Sequence, residues 1–285
     1  MRILNLRREI VARLLSEEEE GRKKGRRKKR TGIFTTGIIS IGDGYRIALF
    51  FSGLKHAGEN LEEVLRHRSK GLSAPIQMCD GLAASTSGDF ETIVANCNAH
   101  GRRKFVDIID SFPEECRYVI ESFAEIYRID ALCKKEEYDD ETRLAMHQKY
   151  SKPVMDAFKI WLDRQLNEKL VEPNSSLGQA ITYLLKRWKK LTLFLRVAGA
   201  PLDNNICERA IKKAILHRKN ALFYKTENGA RVGDAYMSLI YTCELNGINP
   251  FDYLIALQAH HERVAKAPQD WMPWNFEKTM LKLPS

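Results

Sequence analysis

Hydrophobic and polar positions change period several times along this chain, and each change predicts an element. Residues 32–41 are rich in Thr, Ile and Phe and read as a strand. Gly42-Asp43-Gly44 is a hairpin turn signal, and residues 45–52 form the returning strand. Residues 57–67 carry Leu61, Val64 and Leu65 at helical spacing among many charges, the pattern of an amphipathic helix. Pro75-Ile76-Gln77-Met78-Cys79 is a short apolar run that stops at Asp80-Gly81, and residues 92–97 form a second such run. Both read as buried, parallel-type strands, whose exits face ligand crevices in open sheets. Arg2-Ile3-Leu4-Asn5-Leu6 reads as the tail of a further strand. Residues 105–197 are helical throughout, punctuated by Pro113, Pro153 and Pro173, with a break and restart at Glu172-Pro173-Asn174-Ser175. Residues 239–264 are helical again, interrupted at Gly247-Ile248-Asn249-Pro250. The aromatic tail Trp271-Met272-Pro273-Trp274 is expected to dock on the body.

The order strand, hairpin, helix, strand ending in Asp, strand, long helical stretch, helix bearing Glu matches an α/β fold. The expected form is a ribonuclease-H-like mixed sheet with a large α-helical insertion and a helical C-terminal element. The boundaries this implies are 1–110 for the first part of the core, 111–200 for the insertion, 201–236 for the end of the core and 237–285 for the C-terminal element. A length of 285 residues suits two domains or one domain with a large insertion. A hydrophobic content of 44% with 29% charged residues describes a globular chain able to bury a core. No apolar run approaches the roughly 20 residues that cross a bilayer, and the N-terminus lacks the apolar core of a signal peptide. A cytoplasmic protein with no membrane partner is the expectation. Six scattered cysteines then read as reduced thiols, and Cys97-x-x-His100 finds no second pair with which to bind zinc.

Chemistry concentrates in Pro201-Leu202-Asp203-Asn204-Asn205-Ile206-Cys207-Glu208-Arg209-Ala210. Asp203, Asn204 and Asn205 are good helix-start residues, since their short polar side chains accept unpaired backbone N–H groups. Glu208 follows one turn in, and Arg209, Lys212, Lys213 and His217 recur on one helical face. A carboxylate beside a cationic stripe suits a divalent metal held against a phosphodiester. Asn205-x-x-Glu208 equally fits a capping box, in which Glu208 only reaches back to the cap. Asp80-Gly81 likewise fits an ordinary turn or a metal ligand at a strand exit. The formal net charge of +9 points to polyanions. Residues 22–30 hold eight cations in nine positions, Arg26 and Arg27 among them, and read as a solvated loop or a phosphate-binding arm. His100, Arg102 and Arg103 follow the second short strand, either as phosphate contacts or as a basic helix start.

Several longer motifs carry a resemblance. Phe34-Thr35-Thr36-Gly37, Lys55-His56-Ala57-Gly58-Glu59-Asn60-Leu61, Met78-Cys79-Asp80 and Asn98-Ala99-His100-Gly101-Arg102-Arg103 are four of them. The others are Leu202 through Arg209, His217-Arg218-Lys219-Asn220-Ala221-Leu222-Phe223 and Asn249-Pro250-Phe251-Asp252-Tyr253-Leu254. Together they make the chain resemble the insertion sequence sixty-six family of bacterial transposases over essentially its whole length. The resemblance implies a DDE transposase that cleaves and joins double-stranded DNA, at transposon ends and target, with Mg²⁺ or Mn²⁺. It further implies a homo-oligomer on DNA, accessory proteins of the same element, and Asp80 and Glu208 as the second and third catalytic carboxylates. The family's first catalytic Asp lies upstream of the segment resembling Met1-Arg2-Ile3-Leu4, as do its N-terminal helical and zinc-binding regions. The resemblance is therefore to the C-terminal part of such an enzyme, and negligible strand transfer by these 285 residues alone is the expectation. Two other classes remain open: a non-catalytic DNA-binding or oligomerisation remnant, and another ribonuclease-H-like nuclease such as a resolvase.

Overall fold

A computed structural model describes residues 34–42, 44–69, 71–81, 90–220 and 224–282. It is an α/β structure, mostly helical, that divides into two compact units. One unit comprises Met1–His56 and Ile206–Ser285, and the other Ala57–Asn205.

The first unit is built on an antiparallel hairpin of β1 (Phe34–Gly42) and β2 (Tyr45–Gly53), paired from Phe34↔Gly53 to Gly42↔Tyr45. Gly44 adopts φ 82°, the left-handed conformation that a tight turn assigns to glycine. This is the hairpin the alternating pattern predicts, within one or two residues at each end. Ala48 and Phe50 of β2 are 0% and 1% exposed and pack with Ala210, Ala214 and Tyr241. Phe50 and Tyr241 meet edge to face, with ring centroids 6.1 Å apart.

The outer edge of β2 is covered in an unusual way, by side chains of the helix Glu227–Leu245 and its C-cap Asn246. The N–H groups of Phe50 and Ala48 donate to Ser238 Oγ and Thr242 Oγ1, each at 3.0 Å. That of Ser52 donates to Asp234 Oδ2 at 2.6 Å, and that of Arg46 to Asn246 Oδ1 at 3.1 Å. The register works because four helical residues rise about 6.0 Å while two strand residues rise about 6.8 Å. An edge that would otherwise offer unpaired donors to another chain is thereby satisfied. Sequence periodicity starts this helix at residue 239, but it begins at Glu227, with Thr226 Oγ1 accepting from Gly229 N at 3.0 Å. Gly229 and Gly233 weaken the helical signal there; a Cβ on Gly233 would stand 2.2 Å from Tyr224 Oη, so close packing requires glycine.

Pro250–Ala259 and His261–Lys266 follow, then two 3₁₀ turns and the short helix Phe276–Met280. Tyr253 Oη donates to the Trp271 carbonyl at 2.8 Å, and Trp274 stacks on Tyr45 at 4.9 Å. The aromatic tail thus docks, with Trp271 only 3% exposed.

The second unit opens with the helix Ala57–Arg66 and a parallel pair, β3 (Ile76–Cys79) and β4 (Ile93–Asn96). These are the two short apolar runs, paired in parallel as expected. Among the described residues the strands form two separate two-stranded sheets. In chain order the helices of the second unit are α1 (Ala57–Arg66), α2 (Asn98–Val106), α3 (Pro113–Lys135), α4 (Asp140–Met146), α5 (Lys152–Asn167) and α6 (Ser176–Leu191). Phe105, Phe123, Phe158, Ile181, Leu184 and Phe194 share the core. Gly101 lets α2 sit against α6, because a Cβ there would lie 2.7 Å from Leu184 Cδ2. Asn98 Nδ2 donates to the carbonyls of Leu191 (3.1 Å) and Leu202 (3.0 Å), fixing the start of α2. A π-helical turn, His147–Ser151, links α4 to α5 around a buried polar network. There Asp130 meets Arg143 Nη2 at 2.7 Å, Lys134 Nζ at 2.6 Å and His147 Nε2 at 3.4 Å, while His147 Nδ1 pairs with Ser151 Oγ at 2.9 Å.

Candidate functional site

Asp80 leaves β3 at its carboxyl end, where a parallel pair opens onto a crevice. Gly81 turns the chain with φ 88°, and a Cβ on it would stand 2.9 Å from Arg187 Nε. The result is a hollow of about 280 Å³ lined by Asp80, Gly81, His100, Arg103, Lys104, Asp107, Tyr183 and Arg187. Three elements converge on it. The strand exit contributes Asp80, α2 contributes His100, Arg103 and Lys104, and α6 contributes Tyr183 and Arg187, one turn apart. Tyr183 Oη donates to the Asp80 carbonyl at 3.3 Å. Over the same ring lie Arg187 Cζ, 4.1 Å from the centroid, and Lys104 Nζ at 4.7 Å, distances at which a ring attracts a cation. Burial, opposed by the nearby Arg187 charge, raises the Tyr183 phenol, so it stays a donor.

The hollow therefore joins a carboxylate at a strand exit to three cations. That set of groups can hold a divalent cation and the non-bridging oxygens of a phosphodiester together. The donor chemistry around Asp80 is that of a hard ion. Burial raises the adjacent Cys79 thiol above its usual range, so no thiolate competes for softer metals. Cys97 is raised in the same way, and its sulfur accepts the Asn204 N–H at 3.3 Å.

In the other unit, α7 (Asn205–Asn220) carries Glu208 in its first turn. Beside it, Cys207 donates to the Gly37 carbonyl at 3.1 Å, and burial together with the Glu208 charge pushes its thiol up to about 11. Here too oxygen is the available ligand. The Asn205 N–H, which a capping box would give to Glu208, donates instead to Asp203 Oδ1 at 3.0 Å, and Asn205 Nδ2 donates to Asp203 Oδ2 at 2.8 Å. Capping falls to Asp203.

Of the residues singled out in the sequence, Asp80, His100 and Arg103 line one hollow. Arg102 lies exposed on the same helix without lining it. Arg209 and Lys212 are exposed on α7, whereas Lys213 is ion-paired with Glu244 and lies 5.1 Å over the Tyr241 ring. Arg26 and Arg27, like residues 2–6, fall outside the described residues. The sequence reading passed over Lys104, Tyr183 and Arg187. The only signal for them is the Tyr183–Arg187 pair at i,i+4 on α6, and nothing in it says which crevice their face meets.

The chain belongs to the Transposase IS66 family, whose family model matches residues 18–232. It is 32% identical over 238 residues to the uncharacterized protein y4qI of Sinorhizobium fredii (strain NBRC 101917 / NGR234), covering 77% of this chain and 42% of that one. It is 30% identical over 219 residues to the uncharacterized protein y4jD of the same organism, covering 74% and 38% respectively. The chain thus spans about two fifths of the length of the curated relatives it matches. No solved structure matches it.

Proposed function

We propose that the chain carries part of a DDE-type phosphoryl-transfer centre, in which Asp80 and Glu208 hold Mg²⁺ or Mn²⁺ for DNA cleavage and strand transfer during transposition. The observation that carries this reading is Asp80 at a parallel-strand exit, in one hollow with Arg103, Lys104 and Arg187. Membership of a transposase family supports it, and in this reading double-stranded DNA is the substrate. In this reading 1–110 and 201–236 belong to a ribonuclease-H-like core, interrupted by the helical residues 111–200.

Each group then has a task. The carboxylates of Asp80 and Glu208 supply hard oxygen ligands. The chemistry that bound divalent ions supply in such a centre is activation of a water or 3′-hydroxyl and stabilisation of the leaving oxygen. Arg103, Lys104 and Arg187 neutralise the scissile phosphate, and Tyr183 steadies the last two through its ring. Positioned charge of this kind is what accelerates phosphoryl transfer. His100, Arg102, Arg209 and Lys212 extend the cationic surface along the DNA.

The test is Mn²⁺ titration of the chain by electron paramagnetic resonance. Asp80→Ala and Glu208→Ala should each weaken the same site at least about tenfold, since even residues behind a metal ligand matter that much. Undiminished Mn²⁺ affinity in either variant would remove that residue from the centre.

A further inference from the structure

We propose that the C-terminal helical element of the first unit carries a second DNA-backbone site, a basic hollow that grips duplex phosphates without metal. It is about 500 Å³ in volume and lies among the residues after the segment matched by the family model. Arg263 and Lys266 face it from one short helix, and Lys278 and Lys282 from the end of the chain, so two pairs of cations stand around one floor closed by Trp271. Asp270 also lines the hollow, yet among the described residues none of the four cations forms an ion pair.

Four like charges around one cavity repel one another, and a polyanion relieves that repulsion while releasing its own counterions. Arg and Lys are the residues that most often position a protein on the phosphate backbone. Duplex DNA fits better than a lipid surface because the two tryptophans next to the hollow dock on the body. Trp271 is 3% exposed and Trp274 stacks on Tyr45, whereas membrane-seating elements present Trp at the interface.

The experiment measures binding of a random-sequence duplex to the full chain by fluorescence anisotropy in EDTA, across a salt series. Lys278→Ala/Lys282→Ala and Arg263→Ala/Lys266→Ala should each lower the log–log salt slope by about 1.8, at about 0.9 for each lost phosphate contact. Lys278→Arg/Lys282→Arg should restore it. The control Lys135→Ala/Lys149→Ala removes the same charge from exposed positions of the second unit and should leave the slope unchanged. All four cations of the hollow are exposed, so unchanged circular dichroism is expected and separates lost contacts from lost folding. An unchanged slope in both hollow variants overturns the proposal, and so does an equal fall in the control pair, which would make net charge the cause. Loss of binding to phosphatidylserine vesicles with intact duplex binding overturns it in favour of a membrane surface.

Discussion

Thr242→Val should destabilise the first unit by about 1–3 kcal/mol, although it changes neither the branching nor the size of the side chain. Thr242 Oγ1 accepts the Ala48 N–H at 3.0 Å and donates to the Ala48 carbonyl at 3.3 Å, with Thr242 4% and Ala48 0% exposed. Val leaves both backbone groups of Ala48 facing a methyl with no water to replace the hydroxyl. Ser238→Ala should behave alike, because Phe50 N–H loses its acceptor at a residue 1% exposed. Asn246→Ala removes the bond to Arg46 N, but that bond is exposed and water replaces it, so about 0.5 kcal/mol is expected. The three substitutions thus form a gradient from buried to exposed along one ladder. Native-state amide exchange is the suitable assay, since two compact units need not unfold together. Thr242→Val should speed exchange of the Ala48 amide by roughly 5- to 150-fold, the range that 1–3 kcal/mol corresponds to. If Thr242→Val and Ser238→Ala protected β2 no worse than Asn246→Ala, the ladder would be incidental to the stability of the edge.

Two further outcomes follow from the second unit. Burial opposes ionisation of Asp130, but His147, Lys134 and Arg143 outweigh it and hold the carboxyl below the usual carboxylate range. A depressed carboxyl stabilises the fold above its unfolded pKa of about 3.9 and loses that contribution as pH falls below it. Asp130→Asn should therefore cost about 3–5 kcal/mol at pH 7 and flatten the loss of stability between pH 5 and pH 2, read from urea midpoints. An unchanged acid slope would count against the network. At the hollow beside Asp80, Arg187→Ala should lower the duplex salt slope by about 0.9, while Tyr183→Phe, which keeps the ring, should leave it in place. An Arg187→Ala variant with the parental slope would take α6 out of the DNA interface.

Local signals carried much of this molecule. The hairpin was legible because alternation and Gly42-Asp43-Gly44 act within a few residues, and β3 and β4 because short apolar runs bounded by turn residues leave few alternatives. What stayed hidden depends on which faces meet. Asp234, Ser238, Thr242 and Asn246 recur every four residues, and a polar stripe of that kind reads as a solvent face. Here it faces the edge of β2, where backbone donors rather than water are its partners. Tyr183 and Arg187 were illegible for the same reason. Periodicity gives the face of α6 they occupy and not the crevice that face closes.

The two competing readings of the acidic residues resolve differently once the backbone is considered. The metal-ligand and capping-box readings of Glu208 compete for one carboxylate, and the box loses its donor, because the Asn205 N–H goes to Asp203 Oδ1 at 3.0 Å. Asp80-Gly81 as a turn and Asp80 as a site residue do not compete at all. Only a residue without a side chain accepts φ 88° at position 81 and also admits the Arg187 guanidinium at that distance. The turn makes room for the Arg187 side chain, which lines the hollow together with Asp80. A commonplace turn signal is thus, at this strand exit, a condition for the site.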